Sequence, residues 1–132
     1  MVYNDFMSYS NMPENFGADP AYIKWNVVRG DTARIRVEFY ETDGETYQDI
    51  STWTFKSSAY DLKTGDFDLL TVTKSTGYVD ITAPDTLTKT WGTGQSRLLA
   101  ELSFDLQVTI NSEIWTPVIG TIVVISDVSL NA

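Results

Sequence analysis

Apolar side chains occupy every second position of residues 98–110, LLAELSFDLQVTI. Successive side chains of a β-strand point to opposite faces of a sheet, so this period of two indicates a strand with one buried face. The pattern is sustained for too long to leave room for a helix. The sequence therefore predicts a long central strand over residues 98–110. Its buried side chains include Leu102, Phe104, Leu106 and Val108.

Further strand candidates share the same alternation or are rich in the β-branched and aromatic residues that suit a pleated surface. These candidates are residues 22–28, 33–40, 53–60, 68–74, 77–82 and 114–126. Asp43-Gly44 predicts a tight turn, and Ile35, Val37 and Phe39 are predicted to be buried. Pro117 and Gly120 inside the last candidate suggest a bulge or an edge position.

One segment, APDTLTKTW at residues 83–91, has the pattern of a short helix that closes at Gly92. About seven strands with frequent turns and no repeat predict an all-β fold, an antiparallel immunoglobulin-like β-sandwich. The sandwich is assigned to residues 21–132, and residues 1–20 form an extended N-terminal arm before it.

The N-terminal arm is irregular in pattern but contains recurring aromatic side chains. A purely solvated tail would be poor in such residues. We expect the arm to contact another subunit, including a second copy of the same chain, through Tyr3, Phe6, Tyr9 and Phe16. The alternative is an arm folded back on its own sandwich, where it would cover an edge strand.

Composition argues against several kinds of chemistry. The chain has no cysteine and no histidine, so disulfides, thiolate chemistry and the commonest general base are not available. A net charge of −9 disfavours direct contact with nucleic acid. No secretory signal or membrane-spanning run is recognised, so we expect synthesis in a cytoplasm and no membrane partner.

No catalytic residue, cofactor or metal is predicted. Carboxylate pairs could hydrolyse sugars, but most acidic residues lie in predicted turns or on polar strand faces. Asp61, Asp66 and Asp68 lie close together in sequence without the ligand spacing of a calcium loop. The tryptophans could form a sugar-binding platform, although in a chain of this size they more often fill the core. They are Trp25, Trp53, Trp91 and Trp115.

The tripeptide Arg29-Gly30-Asp31 is the motif by which many extracellular proteins engage integrins. Here it joins two predicted strands, where Gly30 supplies backbone freedom and Asp31 can hydrogen-bond nearby main chain. We interpret Gly30 and Asp31 as a structural turn and expect no integrin partner.

Two segments resemble a module found in structural proteins of tailed bacteriophages, typified by the N-terminal domain of baseplate upper proteins. The first carries Gly30-Asp31-Thr32, Asp43-Gly44 and Asp49-Ile50-Ser51-Thr52-Trp53. The second carries Phe104-Asp105-Leu106-Gln107, Thr116, Gly120, Val124 and Asp127-Val128-Ser129. The resemblance covers about residues 23–130.

The resemblance implies a non-enzymatic virion structural protein that acts through protein–protein assembly contacts. Tail or baseplate part, fibre-base adaptor and capsid decoration protein are the roles it implies. Its partners would be other virion proteins, with several copies of this chain in one particle, and its location would be the virion. The alternative is a carbohydrate-binding β-sandwich module that uses exposed tryptophan or tyrosine.

Overall fold

The computed structural model describes residue 13, residues 16–92 and residues 99–126. These residues form seven strands and one single-turn helix. The elements are β1 (Ala21–Val28), β2 (Ala33–Glu38), β3 (Thr54–Tyr60), β4 (Phe67–Lys74), β5 (Tyr78–Ala83), α1 (Asp85–Thr88), β6 (Leu99–Ile110) and β7 (Glu113–Ile125).

The strands form two sheets that share β4. Hydrogen bonds connect the strands in the continuous order β1-β7-β6-β3-β4-β5-β2, in which β4 is the last strand of the first sheet and the first strand of the second. The first half of β4 pairs with β3 and its second half pairs with β5. β2, β4 and β5 lie opposite β3, β6 and β7. This is the arrangement of the immunoglobulin fold. The predicted immunoglobulin-like sandwich is therefore confirmed.

The first strand adds a feature that the sequence pattern did not indicate. β1 pairs with β7 in parallel, with Ile23 opposite Gly120 and Val27 opposite Val124. The other strand pairs are antiparallel, as predicted. The parallel pair joins the two ends of the described domain and makes β1 an edge strand of the first sheet.

β6 lies between β3 and β7, which confirms its central position. Its even-numbered side chains from Ala100 to Ile110 are all buried. The odd-numbered side chains are exposed or half-buried. Removing the apolar row from water is the main favourable contribution of this strand to folding.

Pro117 lies in a β-bulge. The register between β6 and β7 shifts so that Thr116 and Pro117 together face Gln107. A bulge leaves one residue out of the ladder, so the missing N–H of proline costs no hydrogen bond there. The bulge predicted from the sequence is confirmed, whereas β7 is an inner strand and not an edge.

The predicted core needs one correction. Phe39, Leu102, Phe104, Leu106 and Val108 are buried, but Ile35 and Val37 are only half-buried. These two side chains belong to β2, the last strand of the second sheet, and no described strand covers its outer edge. Position in the sheet therefore limits the burial that alternation alone predicts.

The predicted helix is shorter than expected, with only Asp85–Thr88 in helical geometry. Main-chain hydrogen bonds continue the turn to Trp91, whose N–H donates to Thr88 O at 3.0 Å. Gly92 follows with φ +72°, so the predicted closing position is confirmed. Within the described ranges, no helix has the length and apolar character needed to span a membrane.

Candidate binding surface

A cluster of three tyrosines lies beside the end of β2. Tyr40 and Tyr47 pair across a short hairpin, with ring centroids 5.2 Å apart and an interplanar angle of 15°. The ring of Tyr78, at the start of β5, is 6.1 Å from that of Tyr47. Tyr40 and Tyr47 remain 42% and 39% exposed. We call Tyr40, Tyr47 and Tyr78 the tyrosine cluster.

The carboxylate of Glu38 holds the two stacked rings in place. Tyr40 donates its hydroxyl hydrogen bond to Glu38 Oε1 at 2.9 Å, and Tyr47 donates to Oε2 at 3.0 Å. One side chain at the end of β2 therefore orients both phenols. Their rotamers are fixed before any partner arrives.

The hairpin between the two tyrosines is held by its own hydrogen bonds. Asp43 Oδ1 accepts the N–H groups of Glu45 and Thr46 at 2.8 and 2.9 Å, and Asp43 Oδ2 accepts the Thr46 hydroxyl. The Thr46 hydroxyl, followed by these N–H groups, lowers the pKa of Asp43 below its usual value. Gly44 has φ +73°, so the predicted Asp-Gly turn is confirmed. The tyrosine cluster thus stands on a preformed loop.

Tyr47 also rests directly on the main chain of Gly77. A Cβ atom added to Gly77 would overlap the Tyr47 ring, and Gly77 has φ +77°. Glycine is thus required twice at this position, for its backbone conformation and for the close approach of the ring. This contact holds the Tyr47 ring against the residue that precedes β5.

A charged pair borders the cluster on the exposed face of the second sheet. Arg36 Nε donates to Asp80 Oδ1 at 2.9 Å, and its guanidinium carbon lies 3.9 Å from the centroid of the Tyr78 ring. The hydrogen bond to Asp80 raises the pKa of Arg36, and the same bond lowers the pKa of Asp80. The pair is exposed, so its main effect is to orient Arg36 on the ring.

The tyrosine cluster is not among the predicted sites, although the sequence contains a signal for it. Tyrosines flank the Asp-Gly turn symmetrically in YETDGETY, residues 40–47. A hairpin brings such flanking residues opposite each other, where cross-strand aromatic pairs form. Tyr78 comes from a different part of the chain, and only the pairing of β2 with β5 brings it to the hairpin.

We expect the phenol of Tyr40 to ionise late. Its hydrogen bond to Glu38 raises the pKa of Tyr40 to about 12, and the same carboxylate raises the pKa of Tyr47. A raised folded-state pKa stabilises the fold below the ordinary value, and this contribution is lost as pH rises from about 10 through about 12. Ultraviolet titration of phenolate absorbance should show two late-ionising tyrosines.

The control for this titration is Glu38→Gln. The neutral amide repels a phenolate less than a carboxylate does, so both late transitions should move toward the ordinary pKa. If the two curves coincide, Glu38 does not hold the tyrosine hydroxyls as described.

The Arg29-Gly30-Asp31 tripeptide forms a tight corner between β1 and β2. Gly30 has φ +94°, and the Asp31 N–H donates to Val28 O at 3.0 Å. The hydroxyl of Thr88, a fully buried residue, donates to Asp31 O at 2.7 Å and accepts the Gly30 N–H at 3.1 Å. Arg29 Nε donates to Trp91 O at 2.8 Å. The corner is therefore fastened to the segment that follows β5.

Gly30→Val should lower the free energy of unfolding by about 1–3 kcal/mol, because a β-branched residue is strained at positive φ. Thermal denaturation followed by circular dichroism measures this loss. Asp31→Glu is the matched control, since Asp31 is exposed and contributes to the corner through its main chain. Equal melting temperatures for the wild type and Gly30→Val would contradict the role of Gly30 in the turn.

The described part of the N-terminal arm lies against the sandwich. The ring of Phe16 is 5.4 Å from that of Trp115, and Trp115 Nε1 donates to Ala18 O at 3.1 Å. Phe16 therefore packs on its own domain, which is the alternative to a contact with another subunit. Tyr3, Phe6 and Tyr9 lie outside the described residues, and their contact with another subunit stays a prediction.

The tryptophans do not form a surface platform. All four are buried, with exposed fractions of 7% or less. Trp53 and Phe39 meet edge to face, and Trp25 meets Phe104 in the same way. Any aromatic platform on the described surface must therefore use tyrosine or phenylalanine.

Three aspartates that lie close together in sequence, Asp61, Asp66 and Asp68, each accept different hydrogen bonds. Asp61 Oδ1 accepts the N–H groups of Lys63 and Thr64, and Asp68 Oδ2 accepts the Trp91 indole N–H. Asp66 Oδ2 accepts the Thr64 hydroxyl. Within the described ranges, no group of three or more acidic side chains is arranged to hold a metal ion.

Comparison with known proteins adds little to this picture. No protein-family model and no curated protein matches the sequence. Among solved structures, similarity is found to a crystal structure of the ZIG-8-RIG-5 IG1-IG1 heterodimer, at 8% identity and a TM-score of 0.37. An uncharacterized protein from Bacillus anthracis str. Ames has 12% identity and a TM-score of 0.37. Both matches cover 83% of this chain and 86% of the other chain.

Scores this low carry no argument about function. The strand order defines the class of this protein as an immunoglobulin-like β-sandwich, and the tyrosine cluster is its best-formed exposed polar-aromatic surface.

Proposed function

We propose that this protein is a non-enzymatic structural protein of a bacteriophage virion that acts through protein–protein assembly contacts. Its resemblance to the baseplate upper protein module supports the virion setting. The roles in question are tail or baseplate part, fibre-base adaptor and capsid decoration protein. Its partners are other virion proteins and further copies of the same chain, and its location is the virion.

The preorganisation of the tyrosine cluster is the observation that carries the proposal. Glu38 fixes both phenols, and the hairpin that presents them is closed by Asp43. Tyrosine and arginine are enriched at the energetically dominant centres of protein interfaces. Ordering side chains on binding costs affinity, so rings that are already fixed favour association.

The charge of the hairpin favours a basic partner surface. Glu41, Asp43 and Glu45 are exposed on the loop, and no basic residue lies between positions 37 and 55. An acidic patch on a chain of net charge −9 is steered toward a positive surface and away from further acidic ones. The tyrosines then provide contact area, and the carboxylates provide orientation.

Mass spectrometry of virions from a phage that encodes this protein tests the proposal. We expect stoichiometric copies of the wild type and at least a tenfold lower incorporation of Tyr47→Ala, because a central interface aromatic often contributes about 2 kcal/mol or more. Tyr60→Ala is the matched control, since Tyr60 is 40% exposed but lies outside the cluster. Absence of the wild-type protein from purified virions would overturn the assignment.

A carbohydrate-binding module is the second candidate, favoured by the exposed face of Tyr40 beside the Glu38 carboxylate. Sugars stack on exposed aromatic rings and hydrogen-bond to neighbouring carboxylates. A glycan array should stay blank if the protein is structural. Strong array binding that disappears in Tyr40→Ala would favour the sugar-binding function instead.

A further inference from the structure

We propose that the open side of the sandwich, between β1 and β2, binds residues 1–12 of a second copy of this chain. The open side consists of the outer edge of β2 and the cavity at its end. This inference rests on the proposed assembly function and identifies the segment and the surface that would join two copies.

The edge of β2 suits an extended peptide. Among the described strands β2 pairs only with β5, so its other edge is covered by none of them. Ile35 and Val37 lie on this strand and are only half-buried although they pack against the core. An added strand would pair with main-chain groups along the edge and shield these two side chains from water.

A cavity of about 240 Å³ continues the edge beyond the end of β2. Its aromatic walls come from Phe39, Tyr40, Trp53 and Trp115, and Glu38 and Gln48 contribute polar groups. This volume is smaller than that of pockets for drug-sized ligands, which begin at roughly 300 Å³. It suits one aromatic or methionine side chain of a peptide.

Gln48 is the feature that points to a ligand. The residue is 8% exposed and lines the cavity. Its main-chain N–H donates to Phe39 O, but no described residue hydrogen-bonds to its side-chain amide. The amide keeps its donor and acceptor groups available at the cavity, and the peptide group of a bound strand offers a matching acceptor and donor.

The N-terminal segment has the chemistry to occupy this site. Residues 1–12 contain Tyr3, Phe6 and Tyr9 together with methionines, one valine and polar residues. Fully extended, twelve residues span roughly 40 Å, whereas the edge of β2 needs about half of that length. Pro13, the residue that follows this segment in the chain, lines the same cavity.

Charge favours a second copy as the donor of the segment. The chain carries −9 overall, so most surfaces of two copies repel each other. Residues 1–12 contain one acidic residue, Asp5, which the α-amino group balances when residue 1 is the free terminus. This segment can therefore approach another copy with little repulsion. Each copy would donate one segment and accept one, which generates a two-fold dimer, a larger closed ring or a filament.

The test uses the full chain and a synthetic peptide of residues 1–12. Light scattering after gel filtration should show an oligomer for the wild type. The variant Tyr3→Ser/Phe6→Ser/Tyr9→Ser should be a monomer with an unchanged melting temperature. A fluorescently labelled peptide 1–12 should bind this monomeric variant. Adding Gln48→Leu or Val37→Lys should weaken peptide binding at least tenfold, while Leu69→Lys, exposed at the far edge of the first sheet, should not.

Several outcomes would overturn the inference. A monomeric wild type whose triple variant melts at a lower temperature would show that the segment packs on its own domain. A peptide that fails to bind, or that binds equally well to all variants, would exclude the open side as its receptor. Because incorporation into virions is measured separately with Tyr47→Ala, the proposed function can survive the failure of this inference.

Discussion

Replacing Gly120 with alanine is expected to lower the free energy of unfolding by about 3 kcal/mol, at the upper end for one added methyl group. Gly120 lies on β7 between Ile23 of β1 and Phe104 of β6. A Cβ at this position would overlap the main-chain oxygen of Ile23 and lie 2.7 Å from the Phe104 ring. The main chain of Ile23 can move only together with its strand, unlike the end of a flexible side chain. The methyl group would therefore force β1 away from β7.

Urea denaturation followed by tryptophan fluorescence measures this effect. Gly44→Ala is the matched control, because no atom lies within 4 Å of a Cβ added to Gly44. Any loss of stability in this variant therefore comes from placing alanine at a φ of +73°. That cost is about 1–2 kcal/mol for a residue in the left-handed region. If Gly120→Ala is no more destabilising than Gly44→Ala, then β1 does not approach β7 as closely as described.

Trp53→Ala is expected to lower the free energy of unfolding by about 3–5 kcal/mol, the range for removing a buried large aromatic. Trp53 is fully buried at the entry to β3, and its ring centroid is 5.2 Å from that of Phe39 and 6.1 Å from that of Phe55. Lys74 Nζ donates to Trp53 O at 2.8 Å, which ties this corner to the end of β4. The lost ring contacts and the cavity left by the indole together account for this cost.

Two further variants provide reference values for the loss of stability expected in Trp53→Ala. Trp53→Phe keeps most of the apolar volume and should cost clearly less than Trp53→Ala. Leu62→Ala removes a side chain that is 76% exposed and should change stability by less than about 0.5 kcal/mol. Chemical denaturation of all three variants gives the comparison. A Trp53→Ala protein as stable as Leu62→Ala would mean that the indole is not in the core.

Local pattern predicted most of the strands because alternation and turn chemistry act over a few residues. Residues 98–110 were predicted to be a central strand, and β6 is observed over Leu99–Ile110. The Asp43-Gly44 turn and the closing position at Gly92 also follow from local backbone requirements. The candidate site was harder to predict. YETDGETY carried a local signal for Tyr40 and Tyr47, but nothing near Gln48 indicated that its amide would line a cavity.

The sequence by itself determined the all-β class and the strand positions, because both depend on local periodicity. It also excluded chemistry that needs cysteine or histidine, because the chain contains neither residue. Only the tertiary structure decided that β1 joins β7 in parallel, that Ile35 and Val37 are half-buried, and that Thr88 is a buried hydrogen-bonding centre. Those outcomes depend on which strands become neighbours. Neighbours are chosen by packing between residues far apart in the chain, and a period of two is compatible with many such choices.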